Sequence, residues 1–249
     1  MDTIKYQLNA RRQPYGQGAD LILLNESVGN EVLAFHQKFP DYRVTPLRKL
    51  EFLSQRLGLG SIHIKDEAQR FGLNAFKGLG GSYAMGKYLA ALLERDINTL
   101  SFAELNSPVI KARIKDIVFV TATDGNHGRG VAWAAEQLGL RAVVYMPKGS
   151  SPVRAQNIRR HGAECTITEL NYDDTVRLAA KTAREQGWVL LQDTAWQGYE
   201  QIPTWIMQGY MTLAVEIWQQ LAESGASMPT HLFLQAGVGS FAGSIMGYF

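Results

Sequence analysis

Short apolar runs alternate with amphipathic stretches along most of the chain. Six runs rich in apolar residues predict strands at 61–65, 117–121, 141–146, 163–168, 188–192 and 232–235. Apolar residues recurring at helical spacing predict helices at 32–39, 49–57, 82–94, 98–115, 130–138, 152–160, about 172–186 and 206–221, and a last helix ending at Phe249. Strands alternating with helices favour an α/β fold, in which helices cover both faces of a parallel sheet.

Composition narrows the class of protein without identifying it. The chain has 249 residues, of which 46% are hydrophobic and 19% charged, which suits a globular protein of one domain or two small ones. A net charge of +2 with scattered basic residues argues against nucleic-acid binding. The first 30 or so residues predict a polar arm without a signal peptide, and no apolar run is long enough to span a membrane. A lone cysteine, Cys165, suits the cytoplasm, and the five histidines lack metal-ligand spacing, so we predict no metal.

The stretch NAFKGLGG at 74–81 follows a predicted strand and a polar turn at 66–72, and a helix is predicted from about Ser82. Its lysine, Lys77, would feel the N–H groups at a helix N-terminus, which disfavour a positive charge. A neutral lysine amine is the group that forms a Schiff base with a carbonyl cofactor, and the ring of Phe76 could lie against a flat ligand. The alternative is that Lys77 is a solvated surface lysine.

Two more glycine-rich stretches lie between a predicted strand and a predicted helix: TATDGNHGRG at 121–130 and QAGVGSFAG at 235–243. The second lacks the glycine spacing of a dinucleotide-binding loop. Glycines that precede a helix nevertheless let backbone N–H groups approach an anion, and the Ser240 hydroxyl could add a donor. The alternative for this stretch is a tight turn with no ligand.

Together these stretches resemble one enzyme family. NAFKGLGG, TDGNHGRGVAWAA, YMPKGS, NYDDTVRLA, QDTAWQGY, IPTWIMQGY and LQAGVGSFAG occur in that order, and they closely resemble the diaminopropionate ammonia-lyases. The resemblance covers the chain from about Tyr42 onward. It implies the tryptophan-synthase-β-like architecture called fold type II, with pyridoxal 5'-phosphate as cofactor and a homodimer as the assembly. We therefore expect an inserted smaller α/β domain at 96–200 and a larger domain made of 1–95 and 201–249.

The resemblance also assigns the cofactor's contacts. It implies that Lys77 forms the Schiff base, that Phe76 lies beside the ring and that Asn126 hydrogen-bonds the ring hydroxyl. The phosphate would be bound by the loop residues Gly237, Val238, Gly239 and Ser240. From the residues alone, Asn126 could instead be a turn residue in the left-handed region, which asparagine tolerates.

Two carboxylates distinguish this chain from what is expected of a serine or threonine dehydratase. Asp124 stands where such an enzyme is expected to have a small hydroxyl residue, so it could act as a general base or attract a second ammonium group. It could also simply cap the helix that follows. Asp193, just past a predicted strand, could pair with the β-amino group of a diamino acid, or could end the strand in an Asx turn.

Five further residues receive more modest predictions. We expect His127 to be structural and bonded within its turn. We expect Trp196 and Tyr199 either to line the pocket or to belong to the core. Asp173 and its neighbour Asp174 are expected in the first turn of a helix, where the helix dipole favours a negative charge.

The resemblance implies α,β-elimination of 2,3-diaminopropionate to pyruvate and two ammonia molecules. Lys77 would remove the α-proton of the L-isomer and Asp124 that of the D-isomer. The alternatives are a serine/threonine dehydratase-like lyase and an inactive remnant. Family members are expected to continue for well over a hundred residues, including a hydroxyl residue at the pyridine nitrogen, so we expect a truncated chain in which the final helix lacks part of its packing.

Overall fold

The structure is a computed structural model that describes residues 22–249. The predicted polar arm lies outside the described residues up to position 21, and from Glu26 its last residues belong to the first helix. The helices are α1 (Glu26–His36), α2 (Glu51–Leu57), α3 (Lys77–Leu92), α4 (Phe102–Leu105), α5 (Pro108–Ile114), α6 (Asn126–Leu138), α7 (Pro152–Arg159), α8 (Tyr172–Gln186), α9 (Gln201–Glu223) and α10 (Ser240–Tyr248). The strands are β1 (Leu47–Lys49), β2 (His63–Lys65), β3 (Val118–Ala122), β4 (Arg141–Met146), β5 (Glu164–Ile167) and β6 (Val189–Leu190). None of these helices has the length and apolar character needed to cross a membrane.

A four-stranded parallel sheet in the order β5-β4-β3-β6 confirms the α/β prediction. All five residues of β3 are buried, because helices cover both faces of the sheet. Val118, Val120 and Ala122 pack toward Ala179 of α8 on one face, and Phe119 belongs to the cluster that contains α3 and α6 on the other. The carboxyl ends of these strands therefore open on one edge, where the loops before α6 and after β6 meet.

A separate antiparallel pair joins β1 to β2, with Arg48 opposite Ile64. A helix was predicted at 49–57, but residues 47–49 form β1. The helix α2 therefore begins two residues later than predicted. The strand predicted at 232–235 is wrong: these residues are irregular, and the ring of Phe233 is 93% exposed. A strand needs a neighbour to satisfy its backbone groups, and within residues 22–249 no other strand pairs with this segment.

The glycines after Lys77 form no turn, which corrects the prediction that the helix begins near Ser82. α3 begins at Lys77 itself, so these glycines lie inside it. A Cβ added at Gly80 would lie 2.6 Å from the ring of Tyr210, and one at Gly209 of α9 would lie 2.6 Å from the carbonyl oxygen of Leu79. On α6, a Cβ at Gly130 would lie 2.7 Å from the carbonyl of Lys77. The glycines let α3, α6 and α9 approach closely and so hold Lys77 between two helices.

The predicted polar turn at 66–72 is instead a 3₁₀ segment with a buried arginine. The Nη1 and Nη2 atoms of Arg70 donate to the two carboxylate oxygens of Glu216 at 2.8 and 2.7 Å. Lys65 lies 2.6 Å from the same carboxylate, and Arg70 also bonds Glu67 at 2.8 Å. This buried ion network ties β2 and the segment leading to Lys77 onto α9.

The domain division at 96–200 stays a prediction. The parallel sheet and the helices α6, α7 and α8 lie within that range. The surface helix predicted at 98–115 is replaced by a 3₁₀ turn (Ile97–Thr99), α4 and α5. Ser101 and Glu104 form a capping box at the start of α4, and Pro108 begins α5, so two helix starts interrupt the predicted single helix.

Candidate active site

A cavity of about 400 Å³ opens at the carboxyl edge of the parallel sheet, between the starts of α3, α6 and α10. It is lined by every residue that the sequence analysis assigned to catalysis or to the cofactor: Phe76, Lys77, Asp124, Asn126, Asp193, Gly237, Val238, Gly239 and Ser240. Thr123, His127 and Tyr172 also line it. The chain thus brings together the three glycine-rich stretches and Asp193, which are far apart in sequence.

An ion pair between Lys77 and Asp193 is the central contact of the cavity. Lys77 Nζ lies 2.9 Å from Asp193 Oδ2, and their side chains are 19% and 6% exposed. Burial acts to lower the pKa of Lys77, but Tyr210 and the Asp193 carboxylate outweigh it and hold that pKa above its usual value. The expected preference for a neutral amine is therefore wrong in this structure, because the buried carboxylate beside the amine favours its charged form.

The Asp193 carboxylate is correspondingly ionised. Burial alone would raise its pKa, but the nearby His127 and Lys77 reverse that effect and hold the pKa below its ordinary value. The carboxylate is engaged with the Lys77 ammonium group, which replaces the Asx turn considered from the sequence. Asp193 thus shows that this cavity can hold an ammonium group against a buried carboxylate.

Aromatic rings surround the amino group of Lys77. Nζ lies 5.7 Å from the ring centre of Phe76 and 5.3 Å from that of Tyr210, and the rings of Phe76 and Phe241 lie 4.4 Å apart. Burial raises the pKa of Tyr210 to about 12, so its phenol stays neutral near neutral pH. A flat, partly apolar ligand would therefore find ring surfaces next to the lysine.

The loop before α6 presents Asp124 and Asn126 to the cavity, and both are exposed. The N-cap of α6 is Gly125, so Asp124 does not cap this helix. Thr123 does that work instead, because its Oγ1 accepts from the backbone N–H groups of Gly125 and Gly128 at 2.9 and 3.1 Å. Asn126 is the first residue of α6, and the positive φ of +154° falls on Gly125, so the left-handed alternative for Asn126 is wrong.

His127 is buried but is not bonded within its own turn. Its Nε2 lies 2.8 Å from the carbonyl oxygen of Leu191, an acceptor, so this nitrogen donates and carries the proton. Its Nδ1 is 3.7 Å from Asp193 Oδ2 and has no hydrogen-bond partner among residues 22–249. A buried polar atom without a partner at the wall of a cavity fits a site that receives a polar ligand.

The glycine loop before α10 also has features that fit a ligand site. Gly237 has neither a positive φ nor a protein atom within 4 Å of an added Cβ, so neither backbone strain nor packing explains the glycine. Close approach of a ligand to the backbone does explain it. Gly239, at φ +96°, turns the chain into α10, whose first N–H groups suit a phosphate. The Ser240 hydroxyl donates to the Asp193 carbonyl oxygen, so in this structure it is not the free donor that was expected.

The prediction for Trp196 and Tyr199 is wrong in both of its forms. Their rings stack on each other at 4.4 Å, outside the cavity, and Trp196 is 39% exposed. The Tyr199 hydroxyl accepts from the backbone N–H of Gln192 and donates to the Leu190 carbonyl, both at 2.9 Å. Tyr199 therefore supports the backbone that leads to Asp193. Asp173 and Asp174 lie in the first turn of α8, as predicted.

Among the residues that sequence reasoning overlooked are Tyr172 and Thr123, which line the cavity, and the aromatic residue behind the lysine. Tyr172 sits in the NYDD motif, where only the helix cap drew attention, and Thr123 sits in the quoted loop. Tyr210 occurs in the quoted IPTWIMQGY stretch, and its large ring within a long apolar helix resembles any core residue. Only the packing of α9 against α3 places that ring beside Lys77.

The fold and the cavity define an enzyme of a known class. The family of pyridoxal-phosphate dependent enzymes matches residues 38–249, and the chain belongs to that family. Pyridoxal phosphate is thus the cofactor of the family, as the sequence predicted, and the fold is that of the fold-type-II enzymes. The family match therefore confirms the fold and the cofactor that the sequence motifs led us to expect.

Comparison with individual proteins is more specific than the family match. The chain is 76% identical over 248 residues to the diaminopropionate ammonia-lyase of Salmonella typhimurium, covering 100% of this chain and 61% of the relative. A crystal structure of Escherichia coli diaminopropionate ammonia-lyase in complex with an aminoacrylate-PLP azomethine reaction intermediate is 52% identical, with a TM-score of 0.84 over 91% of this chain and 56% of that one. The biosynthetic L-threonine dehydratase of Haemophilus influenzae is 31% identical over 207 residues, 82% of this chain and 33% of the relative. The chain thus spans about three fifths of the length of the Salmonella enzyme.

Proposed function

We propose that the chain carries the site of a diaminopropionate ammonia-lyase, which eliminates the β-amino group of 2,3-diaminopropionate to yield pyruvate and two ammonia molecules. The carrying observation is the Lys77–Asp193 pair, in which a buried carboxylate binds an ammonium group inside the cavity at 2.9 Å. A substrate with a second ammonium group needs such a partner, whereas serine and threonine do not. The 76% identity to the Salmonella enzyme supports the same substrate.

The cofactor would be held by residues from all three stretches. Lys77 would bind it through Nζ, with the ring of Phe76 alongside and Asn126 at the ring's edge. The backbone N–H groups from Gly237 to Ser240, at the start of α10, would bind its phosphate. When bound, pyridoxal phosphate supplies an electron-withdrawing ring that stabilises negative charge at the substrate's α-carbon.

We assign proton removal to two of the groups that line the cavity, Lys77 and Asp124. Lys77 Nζ would take the α-proton of the L-isomer, and the Asp124 carboxylate would take that of the D-isomer. Asp193 would bind the β-ammonium group with the carboxylate that holds Lys77 in the present structure. In the present structure His127 and Lys77 lower the pKa of this carboxyl group against the effect of burial, and the β-ammonium group would take the place of Lys77 as the cation beside it.

Replacing Asp124 with asparagine is expected to lower kcat/KM for the D-isomer by roughly 10²-fold or more, and that for the L-isomer by less than about tenfold. The amide keeps the shape of the side chain but cannot accept the proton. Initial rates of pyruvate formation from each isomer would measure the two effects. Asp116→Asn, at an exposed position before β3, is the matched control. Equal losses for both isomers would contradict the assignment of separate bases.

A substrate panel tests the function itself and separates the alternatives. The cofactor-loaded chain is expected to release two ammonia molecules per pyruvate from diaminopropionate. Serine would yield only one ammonia per pyruvate, which distinguishes the two reactions. Faster turnover of serine or threonine than of diaminopropionate would favour the dehydratase-like lyase. A chain that binds cofactor at Lys77 and turns over none of these substrates would be an inactive remnant of the family.

The proposal extends to location and assembly. We propose a cytoplasmic enzyme, which suits a chain whose single cysteine, Cys165, is buried in β5. A homodimer is proposed on the family resemblance alone.

A further inference from the structure

Gln192 is fully buried where β3 and β6 separate to open the cavity. Pairing between the strands includes Val120 with Leu190, and Leu191 N–H still donates to the Val120 carbonyl at 2.8 Å. Beyond that point the side chain of Gln192 replaces the missing strand. Its Oε1 accepts from the Ala122 backbone N–H at 3.0 Å and lies 3.1 Å from the Thr121 hydroxyl, which donates to it.

These bonds determine which way the amide points. A backbone N–H can only donate, so the oxygen of the amide must face Ala122, and the nitrogen must face the opposite side. There Nε2 lies 3.3 Å from the Tyr172 hydroxyl and 3.4 Å from Asp193 Oδ1. The donor is thus aimed at the carboxylate oxygen that Lys77 does not use, since Lys77 bonds Oδ2.

The two donors to Asp193 differ in what happens to them during function. Under the proposed function Lys77 is engaged by the cofactor, so its ammonium group no longer holds Oδ2. The Gln192 amide is uncharged, remains in place and is anchored to β3 by two bonds on its other end. A 3.4 Å contact is long for a hydrogen bond, and such contacts often shorten when a ligand is bound.

We propose that Gln192 is a positioning residue, which holds the Asp193 carboxylate toward the cavity so that it binds the substrate's second ammonium group once Lys77 is engaged. The role rests on the proposed function. The titratable groups that face Asp193 are Lys77 on α3, His127 on α6, Tyr172 on α8, Tyr199 in the segment after β6 and Tyr210 on α9. Unlike these side chains, the Gln192 amide is held in its orientation by hydrogen bonds to β3.

Gln192→Met and Gln192→Glu test this role. Methionine keeps the size of the side chain but can neither accept from Ala122 nor donate to Asp193. Glutamate keeps the shape: its protonated carboxyl group can both accept from Ala122 and donate to Asp193, whereas its ionised form repels Asp193. Gln156→Glu, at an exposed position of α7, is the matched control.

The first readout needs neither cofactor nor turnover. The pH dependence of labelling at Lys77 by an amine reagent, resolved by peptide mass mapping, reports the pKa of this lysine. A less well held Asp193 stabilises the ammonium less, so Gln192→Met is expected to lower the labelling midpoint by about half a pH unit or more. Unfolding midpoints of all variants would be measured alongside. If the methionine variant does not fold, the comparison of Gln192→Glu at high and at low pH carries the test.

The second readout is the ratio of kcat/KM for diaminopropionate to that for serine. In Gln192→Glu we expect this ratio to fall about tenfold or more at high pH, mainly through KM, and to recover as the pH is lowered and the introduced carboxyl group is protonated. An unchanged labelling midpoint in Gln192→Met, or a ratio in Gln192→Glu that does not depend on pH, would overturn the role of Gln192. Absence of turnover on every substrate would overturn the proposed function. The labelling midpoint would still show whether Gln192 positions the Asp193 carboxylate.

Discussion

Borohydride reduction of the chain with pyridoxal phosphate is expected to attach the cofactor at Lys77 alone, and Lys77→Ala is expected to abolish that adduct. Lys77 is the lysine among the cavity-lining residues. Elimination by the variant should fall by at least about 10³-fold, because both the covalent attachment and a proton acceptor are lost. Peptide mass mapping of the reduced protein measures the adduct, and pyruvate formation measures the activity.

Two variants make this experiment specific. Lys77→Arg keeps a cation beside Asp193 but stays protonated, so it should also lose the adduct while preserving the ion pair. Lys77→Ala leaves the Asp193 carboxylate without its ammonium partner, so it should be the less stable of the two. Lys181→Ala, at an exposed position of α8, is the control and should retain full labelling at Lys77. Label spread over many lysines in the unsubstituted chain would contradict a preformed cofactor site.

Glu216→Ala is expected to cause the largest loss of stability, about 3–5 kcal/mol in the free energy of unfolding. The Glu216 side chain is fully buried and accepts from Arg70, Lys65 and the Tyr42 hydroxyl. Removing it leaves two buried cations with too little negative charge, and Glu67 alone remains beside Arg70. The cost of an uncompensated buried charge is the physical reason for the large effect.

Urea unfolding followed by circular dichroism would measure the change. Glu223→Ala is the matched control, because it makes the same substitution at an exposed position of the same helix. Since the network anchors the segment that leads to Lys77, the variant should also trap less cofactor at 25 °C. A change below about 0.5 kcal/mol would show that the network contributes little, as exposed ion pairs do.

Several elements could be predicted because their cause is local. The strand at Arg141–Met146 was predicted with its observed ends, since an apolar run between turn residues has few alternatives. α8 was predicted with its acidic first turn and its end at Gln186, where Gly187 follows with a φ of +67°. By contrast, the start of α3 was misplaced, because glycines next to a lysine suggest a turn unless the helices that pack against them are known.

Cavity membership was predictable for the quoted motifs, whereas the contacts within the cavity were not. Lys77 and Asp193 are 116 positions apart, and nothing in either segment indicates that they form an ion pair. The same holds for Arg70 and Glu216, which are 146 positions apart: in sequence each is an ordinary charged residue in a polar or helical segment. The sequence signal for Gln192 was equally weak, because a buried glutamine after a strand is recognised only by its partners.

The amino-acid sequence by itself determined the fold class, the cofactor family and the main motifs that line the cavity, because periodicity, helix signals and short motifs are local properties. The tertiary structure decided the charge state of Lys77, the partner of Asp193, the close packing of the glycines in α3 and the buried network at Glu216. These depend on which distant side chains share a water-poor space, where charge and hydrogen-bond partners count far more than they do in an isolated segment.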